Sequence, residues 1–249
     1  MSSPDAALAA SIAEEAGRLL LAVRASGPEG VDLGREGDLR SNEMILGRLA
    51  AARPADAVLS EESADGPARL DADRVWIIDP LDGTREFVMA GRTDWAVHVA
   101  LWESGTGLTA GAVAQPAIGQ VFCTDRPHPP GPARPDGPLI LVSDSRPPEF
   151  APAVAAAVGA TVAPMGSAGA KAMAVLRGEA DAYLHAGGQW EWDSAAPVAV
   201  VQASGFHASR IDGSPLRYNQ ARPYLPDLLI CRPELAGPLL DALRGVTGR

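Results

Sequence analysis

The hydrophobic pattern changes period several times along the chain, and these changes predict its helices and strands. Apolar residues over 8–23 recur every three or four positions, which predicts an amphipathic helix. Residues 26–37 are rich in glycine and charge and are expected to form a mobile loop, so that a second helix begins at Asp38. Short apolar runs at 57–60 and 75–78 are typical of buried strands, and acidic residues follow each run.

After these strands, the pattern predicts more β-structure and then an alternation of strands and helices. Residues 125–138 are so rich in proline and glycine that we expect them to be irregular. We therefore expect an α/β protein with an N-terminal metal- and phosphate-binding subdomain, residues 1–126, and a C-terminal α/β subdomain, residues 138–249. The remaining strands are predicted at 95–102, 110–114, 120–124, 139–142, 161–163, 182–185, 206–209 and 228–231, and the remaining helices at 150–158, 168–177, 194–204 and 234–244.

Composition and charge restrict the class of partner. The chain has 249 residues, 47% of them hydrophobic, and a net charge of -10, which argues against a nucleic-acid or membrane surface. An anionic substrate would need metal cations to offset this charge. Cys123 and Cys231 lie far apart, no signal segment is recognisable and no apolar run reaches membrane-spanning length, so we expect reduced thiols in a cytoplasmic protein. The oligomeric state is open, with a homodimer as one option.

The candidate chemistry centres on Asp79-Pro80-Leu81-Asp82-Gly83-Thr84, where the run 75–78 ends. Carboxylates three residues apart across a turn are close enough to share hard cations. The backbone N–H groups of Gly83 and Thr84 are available to a phosphate oxygen where the chain begins to coil. An ordinary turn between a strand and a helix, for which Asp, Pro and Gly are common, is the alternative.

Further carboxylates are expected at the ends of other elements. Glu61 follows a strand, and Asp38 and Asp193 precede predicted helices, where an N-cap role is the simpler interpretation of each. Carboxylate and carbonyl oxygens favour Mg²⁺, and no cluster of His and Cys indicates zinc. His98 lies within a predicted strand and is expected to be a half-buried, hydrogen-bonded residue rather than a ligand. This set of carboxylates favours a two-metal phosphatase, in which Asp79 is best placed to be shared.

The Glu61-Glu62 pair, the motif at 79–84 and Trp192-Asp193-x-x-Ala, in this order, resemble the inositol monophosphatase superfamily of magnesium-dependent, lithium-sensitive phosphatases. The resemblance implies the sugar-phosphatase fold, an αβαβα sandwich. It implies two Mg²⁺ ions, the first bound by Glu61, Asp79 and the Leu81 carbonyl, the second by Asp79, Asp82 and Asp193, and a third, weaker ion at Glu61. The implied catalytic residues are Asp38, Thr84 and Glu61, with Thr84 and Asp38 orienting the attacking water. The implied substrate-binding residues are Glu61, Leu81, Asp82, Gly83, Thr84, Ser167, Lys171, His185 and Asp193.

Within the superfamily, the chain is more similar to the 3′-phosphoadenosine 5′-phosphate phosphatases of the CysQ type than to the inositol enzymes. The similarity lies in Asp82-Gly83-Thr84-Arg85-Glu86-Phe87, in Gly166-Ser167, in Lys171, which is the single lysine of the chain, and in Tyr218-Asn219. Two departures are His185, where this subgroup often has an arginine, and residues 33–38, which lack the Val-Thr pair of the usual flap.

The resemblance implies hydrolysis of the 3′-phosphate of 3′-phosphoadenosine 5′-phosphate, and of its sulfated relative, in sulfate assimilation, that is, a 3′(2′),5′-bisphosphate nucleotidase. Hydrolysis of inositol 1-phosphate or fructose 1,6-bisphosphate by the same metal chemistry is the alternative. A non-catalytic metal-binding protein on the same fold would be expected to lack a ligand, and none is missing.

Overall fold

A computed structural model describes residues 3–248, and two five-stranded sheets organise it. Seven α-helices were found in this part of the chain, together with three short 3-10 turns. The helices are α1 (Pro4–Ser26), α2 (Gly30–Ala52), α3 (Thr84–Phe87), α4 (Ala151–Ala157), α5 (Ala168–Leu176), α6 (Glu191–Ala203) and α7 (Ala236–Thr247). The strands are β1 (Ala57–Ser60), β2 (Arg74–Asp82), β3 (Ala96–Glu103), β4 (Gly107–Gln115), β5 (Gln120–Cys123), β6 (Leu139–Ser143), β7 (Thr161–Met165), β8 (Ala182–Trp190), β9 (His207–Ser209) and β10 (Tyr224–Cys231).

The first sheet has the order β1-β2-β3-β4-β5, and only its β1–β2 pair is parallel. The β1–β2 register joins Ala57 to Val75 and Ser60 to Ile78. Because the two strands are parallel, Glu61 after β1 and Asp79 near the end of β2 lie at the same edge of the sheet. The β2–β3 pairing shifts register between Asp79 and Asp82, where the motif bends away from its neighbour.

The second sheet has the order β7-β6-β8-β10-β9. Its first three strands are parallel, and β10 is antiparallel to both β8 and β9. Helices α4 and α5 make the crossovers between the parallel strands, as is usual for such connections.

Helices and sheets alternate in five layers. α1 and α2 cover the outer face of the first sheet, α5 and α6 lie between the two sheets, and α4 and α7 cover the second. The central layer buries residues of both halves in one cluster, for example Val75, Ala172 and Tyr183. The predicted αβαβα sandwich is therefore confirmed. The division into subdomains 1–126 and 138–249 stays a prediction, although the irregular segment 125–138 separates the strands of the two sheets.

The second helix differs from the prediction. α2 begins at Gly30, so most of the expected mobile loop is helical and Asp38 lies in the middle of a helix rather than at its start. The glycines of this segment allow close packing: a Cβ on Gly34 would lie 2.8 Å from Thr84 Cγ2, and one on Gly37 would lie 3.0 Å from Leu81 Cδ2. Tertiary packing on the motif thus outweighs the low helix propensity of glycine.

Several further boundaries were wrong, and two of them bear on the site. β8 continues to Trp190, five residues beyond its predicted end, because it pairs with β10 as far as Tyr224. α6 begins at Glu191, so Asp193 lies in its first turn and is not its N-cap. Cys123 and Cys231 are buried free thiols, as predicted. Within residues 3–248 we found no helix with the length and apolar character required to cross a membrane.

Candidate active site

Three carboxylates from distant parts of the chain converge where β2 ends. Asp79 and Asp82 come from β2 and Asp193 from the first turn of α6. One oxygen from each lies within 4.8 Å of the others. Asp79 is 1% exposed and Asp82 7%, so little solvent separates their charges. We call these three residues the acidic cluster.

The acidic cluster contains one carboxylate whose hydrogen bonds are satisfied by protein groups. Asp82 accepts bonds from the Ser167 hydroxyl at 2.5 Å and from the backbone N–H groups of Ala168, at 3.1 Å, and Gly169, at 2.6 Å. His98 Nε2 lies 3.2 Å from the same carboxylate. Burial would raise the pKa of Asp82, but the His98 ring and these bonds outweigh it and lower the pKa to about 2. Asp82 is therefore a permanent negative charge at the amino end of α5.

Asp79 is in the opposite situation. Its Oδ1 accepts the Leu81 N–H at 3.0 Å, but its Oδ2 is buried without a hydrogen-bond partner among residues 3–248. Burial and the charges of Glu61 and Asp82 raise its pKa well above the usual value. Burial and the charge of Asp82 likewise raise the pKa of Asp193 to about 6, even though Asp193 accepts the Trp190 N–H at 2.5 Å. An unpartnered buried oxygen beside two other carboxylates matches the donor set of a hard divalent cation.

A hydroxyl and a carboxylate form the predicted dyad beside the acidic cluster. Thr84 Oγ1 lies 3.3 Å from Asp38 Oδ1 and 3.1 Å from the Leu81 carbonyl oxygen, so its proton has two acceptors to choose from. Burial and the charge of Glu62 raise the pKa of Asp38 to about 7. Asp38 can therefore exchange a proton near neutral pH.

Glu61 lies near the acidic cluster but is not one of the three residues within 4.8 Å. The residue as a whole is exposed, while its carboxylate is partly enclosed. That enclosure and the charges of Asp193 and Asp38 raise the pKa of Glu61 above its usual value. The structure thus places Glu61 where added positive charge would be favourable, at the solvent side of the site.

Helix α2 holds the motif in position through side chains of its fourth turn. Ser41 is fully buried, and its hydroxyl donates to the Pro80 carbonyl at 2.7 Å. Asn42 accepts the Ser60 hydroxyl at 2.8 Å and so connects α2 to the end of β1. Asp38, one turn earlier, faces Thr84 as a result.

Gly83 follows β2 directly and has a left-handed conformation, with φ of 86°. A Cβ there would lie 3.1 Å from both the Asp94 carbonyl oxygen and Ser167 Cβ, so a larger residue would be strained and crowded. This glycine lets the first turn of α3 lie against the amino end of α5.

A cavity opens beside the acidic cluster, between the two sheets. Ser167, Lys171 and His185 all line it, together with Asp82, Gly83, Thr84 and Asp193. The structure therefore brings the predicted substrate-binding residues Ser167, Lys171 and His185 to one cavity with the motif, and their roles stay predictions.

With this geometry established, comparison with known proteins identifies the family. The profile of the inositol monophosphatase family matches residues 5–129 and 139–244, which is most of the chain. The chain belongs to the inositol monophosphatase family.

Individual relatives of the chain agree with this membership. A 3′-phosphoadenosine 5′-phosphate phosphatase of Mycobacterium leprae is 53% identical over 97% of this chain and 94% of its own length. One of Mycobacterium bovis is 56% identical over 92% of this chain and 89% of its own. Among solved structures, CysQ of Bacteroides thetaiotaomicron, a bacterial member of the inositol monophosphatase family, superposes with a TM-score of 0.79 at 23% identity, covering 92% of this chain and 97% of that one.

These findings confirm the predicted family and fold, and the chain is a phosphatase of this family that acts on a small phosphate ester. Members of the inositol monophosphatase family are generally metal-dependent, and the acidic cluster has carboxylate oxygens that could bind a metal.

Sequence reasoning missed the contact of His98 with Asp82 and the role of Gly169 in making room for it. His98 was expected to be half-buried, but it is 0% exposed and contacts Asp82, while its Nδ1 lies 3.1 Å from the Trp192 carbonyl oxygen. Gly169 makes this contact possible, since a Cβ there would lie 2.1 Å from His98 Nε2. In the antiparallel pairing of β2 with β3, His98 lies opposite Asp79, and the sequence alone does not show this register.

Proposed function

We propose that the protein hydrolyses the 3′-phosphate of 3′-phosphoadenosine 5′-phosphate, with Mg²⁺ as its cofactor. The observation that carries this proposal is the 53% and 56% identity, over more than nine tenths of the chain, to two phosphatases named for that substrate. The cavity beside the acidic cluster supports it, because Arg146 and Lys171 add positive charge to the cavity wall, which favours a substrate with a second anionic group.

The acidic cluster fits the cofactor. Asp79, whose buried Oδ2 has no hydrogen-bond partner among residues 3–248, would be a ligand of both ions; Glu61 and the Leu81 carbonyl would complete the first site, and Asp82 and Asp193 the second. Glu61, which lies at the solvent side of the site, suits a third, weaker ion. Bound Mg²⁺ would activate a water molecule and neutralise charge on the phosphoryl and leaving oxygens.

The residues of this chain would orient and deprotonate the attacking water. When Thr84 Oγ1 donates a hydrogen bond to Asp38, its lone pairs are free to accept a hydrogen bond from that water. As the water attacks, it would pass a proton to the Thr84 oxygen while the Thr84 proton passes to Asp38, whose pKa is raised to about 7. The N–H groups of Gly83 and Thr84 would hold the non-bridging phosphate oxygens where negative charge develops.

The wider setting of this activity belongs to the same proposal. The product, adenosine 5′-phosphate, and its parent bisphosphate connect the enzyme to sulfate assimilation, and the sulfated nucleotide is a second expected substrate. A cytoplasmic location and a homodimer remain compatible expectations.

Phosphate release should be measured side by side from 3′-phosphoadenosine 5′-phosphate, inositol 1-phosphate and fructose 1,6-bisphosphate, with Mg²⁺ and with added Li⁺. We expect kcat/KM to be highest for the nucleotide and Li⁺ to inhibit all three reactions. A higher kcat/KM for either of the other substrates would refute the nucleotide assignment and favour the inositol or sugar phosphate alternative.

A further inference from the structure

Three cationic side chains of the described chain line the active-site cavity, Arg85, Arg146 and Lys171, and they differ in what they bind. Arg85 donates to Glu86 at 2.6 and 2.8 Å and also to Asp144. These two carboxylates neutralise its guanidinium and hold it in place. Arg85 is therefore poorly suited to bind an anionic ligand.

Lys171 is occupied as well. Its Nζ lies 2.6 Å from the Ser167 carbonyl oxygen, 3.2 Å from that of Gly166 and 3.3 Å from that of Met165. An ammonium group has three protons, and three backbone acceptors match that number. Lys171 adds positive charge to the cavity wall without a free donor for a substrate oxygen.

His185, the remaining basic group on this wall, is not a cation at neutral pH. Burial lowers its pKa, and the neighbouring charges of Lys171 and Arg146 lower it further. Its Nε2 lies 3.0 Å from the Gly188 carbonyl oxygen, which can only accept, so Nε2 carries the proton of the neutral ring. The other nitrogen, Nδ1, then has a lone pair and is a poor partner for a phosphate.

Arg146 differs from these groups because its guanidinium has no ion pair or hydrogen bond with any of residues 3–248. Its backbone is nevertheless held, since its N–H donates to Ser143 Oγ at 3.2 Å and Pro147 restricts its conformation. An arginine with five free N–H donors, on a fixed backbone at the rim of a cavity, is suited to bidentate binding of a phosphate dianion.

We propose that Arg146 binds the phosphate of the substrate that is not hydrolysed, the 5′-phosphate of a 3′,5′-bisphosphate nucleotide, and thereby determines specificity. The inference rests on the proposed function. It places the second-phosphate contact on the loop between β6 and α4, not on residue 185, where the related subgroup often has an arginine.

The test compares 3′-phosphoadenosine 5′-phosphate with adenosine 3′-phosphate, which has the same scissile group and no 5′-phosphate. Arg146→Gln should lower kcat/KM for the bisphosphate by about tenfold or more, which is a typical loss for one charge-assisted contact. It should change kcat/KM for adenosine 3′-phosphate by less than about twofold. Arg146→Lys should recover part of the loss. Calorimetry should show a matching loss of affinity for adenosine 5′-phosphate.

Arg217→Gln is the matched control, since Arg217 is also exposed, has no side-chain partner within the described chain and lies on a different cavity. It makes the same change in net charge and should leave kcat/KM unchanged for both substrates. Equal losses on both substrates with Arg146→Gln, or full retention of activity on the bisphosphate, would overturn the inference. If the wild-type protein has no higher kcat/KM for the bisphosphate than for adenosine 3′-phosphate, both the proposed function and the inference about Arg146 are wrong. If the wild-type preference is unchanged in Arg146→Gln, only the inference about Arg146 is wrong.

Discussion

Replacing Asp79 with asparagine should stabilise the metal-free protein while abolishing its activity. The Asp79 carboxylate is buried, one of its oxygens has no hydrogen-bond partner among residues 3–248, and two other carboxylates lie within 4.8 Å. At an effective dielectric constant of about 20, two unit charges separated by 4.8 Å repel by about 3.5 kcal/mol. Asparagine has the same shape, and its Oδ1 can still accept the Leu81 N–H.

Part of this repulsion is relieved in wild type by protonation, so the net gain is smaller than the full Coulomb energy. We expect Asp79→Asn to raise the free energy of unfolding of metal-free protein by about 2 kcal/mol at pH 8, or Tm by about 4–8 °C. Burial raises the folded-state pKa of Asp79, so its destabilisation grows as pH rises above the unfolded-state pKa and is absent below it. The advantage of asparagine should therefore shrink between pH 8 and pH 4.

Thermal unfolding in chelator, repeated with saturating Mg²⁺, measures this effect. Added Mg²⁺ should reverse the order of stability, because only wild type gains the full free energy of metal binding. Asp136→Asn, which removes an exposed charge and does not belong to the acidic cluster, is the control and should leave Tm nearly unchanged. A metal-free Asp79→Asn variant that is less stable than wild type at pH 8 would refute the reasoning.

Three further predictions concern the dyad, the close packing at α5 and the metal affinity. Thr84→Ala should lower kcat by about 100-fold with metal affinity nearly unchanged, as judged by kinetics and calorimetry, whereas a parallel loss of both would indicate a structural role. Gly169→Ala should destabilise the protein by about 1–3 kcal/mol in denaturant unfolding, since its Cβ would collide with His98, whereas Gly47→Ala in an open position of α2 should be neutral or stabilising. Because the pKa of Asp193 is raised to about 6, Mg²⁺ must displace protons from the cluster, so its affinity should rise between pH 5 and pH 8 and proton release should be detectable in buffers of different ionisation enthalpy. An affinity independent of pH over this range would contradict that prediction.

The metal-binding motif could be predicted because its chemistry is local in sequence. Asp79, Asp82 and Gly83 lie within five residues, and a strand that ends in a tight turn fixes their relation without help from distant parts of the chain. The parallel pairing that brings Glu61 beside them was not predicted as such, but the occurrence of acidic residues after both strands indicated it.

Helix α2 could not be predicted correctly because the meaning of a glycine depends on its neighbour in space. Gly34 and Gly37 are signals for a loop in sequence, yet in the structure they are the positions where α2 contacts Thr84 and Leu81. The same limitation applies to Ser41 and His98. Ser41 donates to Pro80, 39 residues away, and His98 contacts Trp192, 94 residues away. Such contacts follow from packing and have no local pattern.

The location of Lys171 in the cavity was predicted correctly, but the location does not determine its role. The sequence predicted Lys171 to face the substrate, and it does line the cavity, but its three protons point to backbone carbonyls between β7 and α5. That same segment supplies the Ser167 hydroxyl and the Gly169 N–H to Asp82. Removing the ammonium group should loosen this segment and with it the position of Asp82.

Lys171→Met is therefore expected to lower kcat/KM for 3′-phosphoadenosine 5′-phosphate and for adenosine 3′-phosphate by similar factors, and to weaken Mg²⁺ binding. A direct contact with the second phosphate would instead reduce activity on the bisphosphate alone and leave Mg²⁺ affinity intact. Kinetics on both substrates together with metal calorimetry distinguish the two roles. Both Asp82 and the cavity wall depend on the first turn of α5. A similar loss of kcat/KM on both substrates would therefore show that Lys171 stabilises the metal site, and a loss on the bisphosphate alone would show that Lys171 binds the substrate.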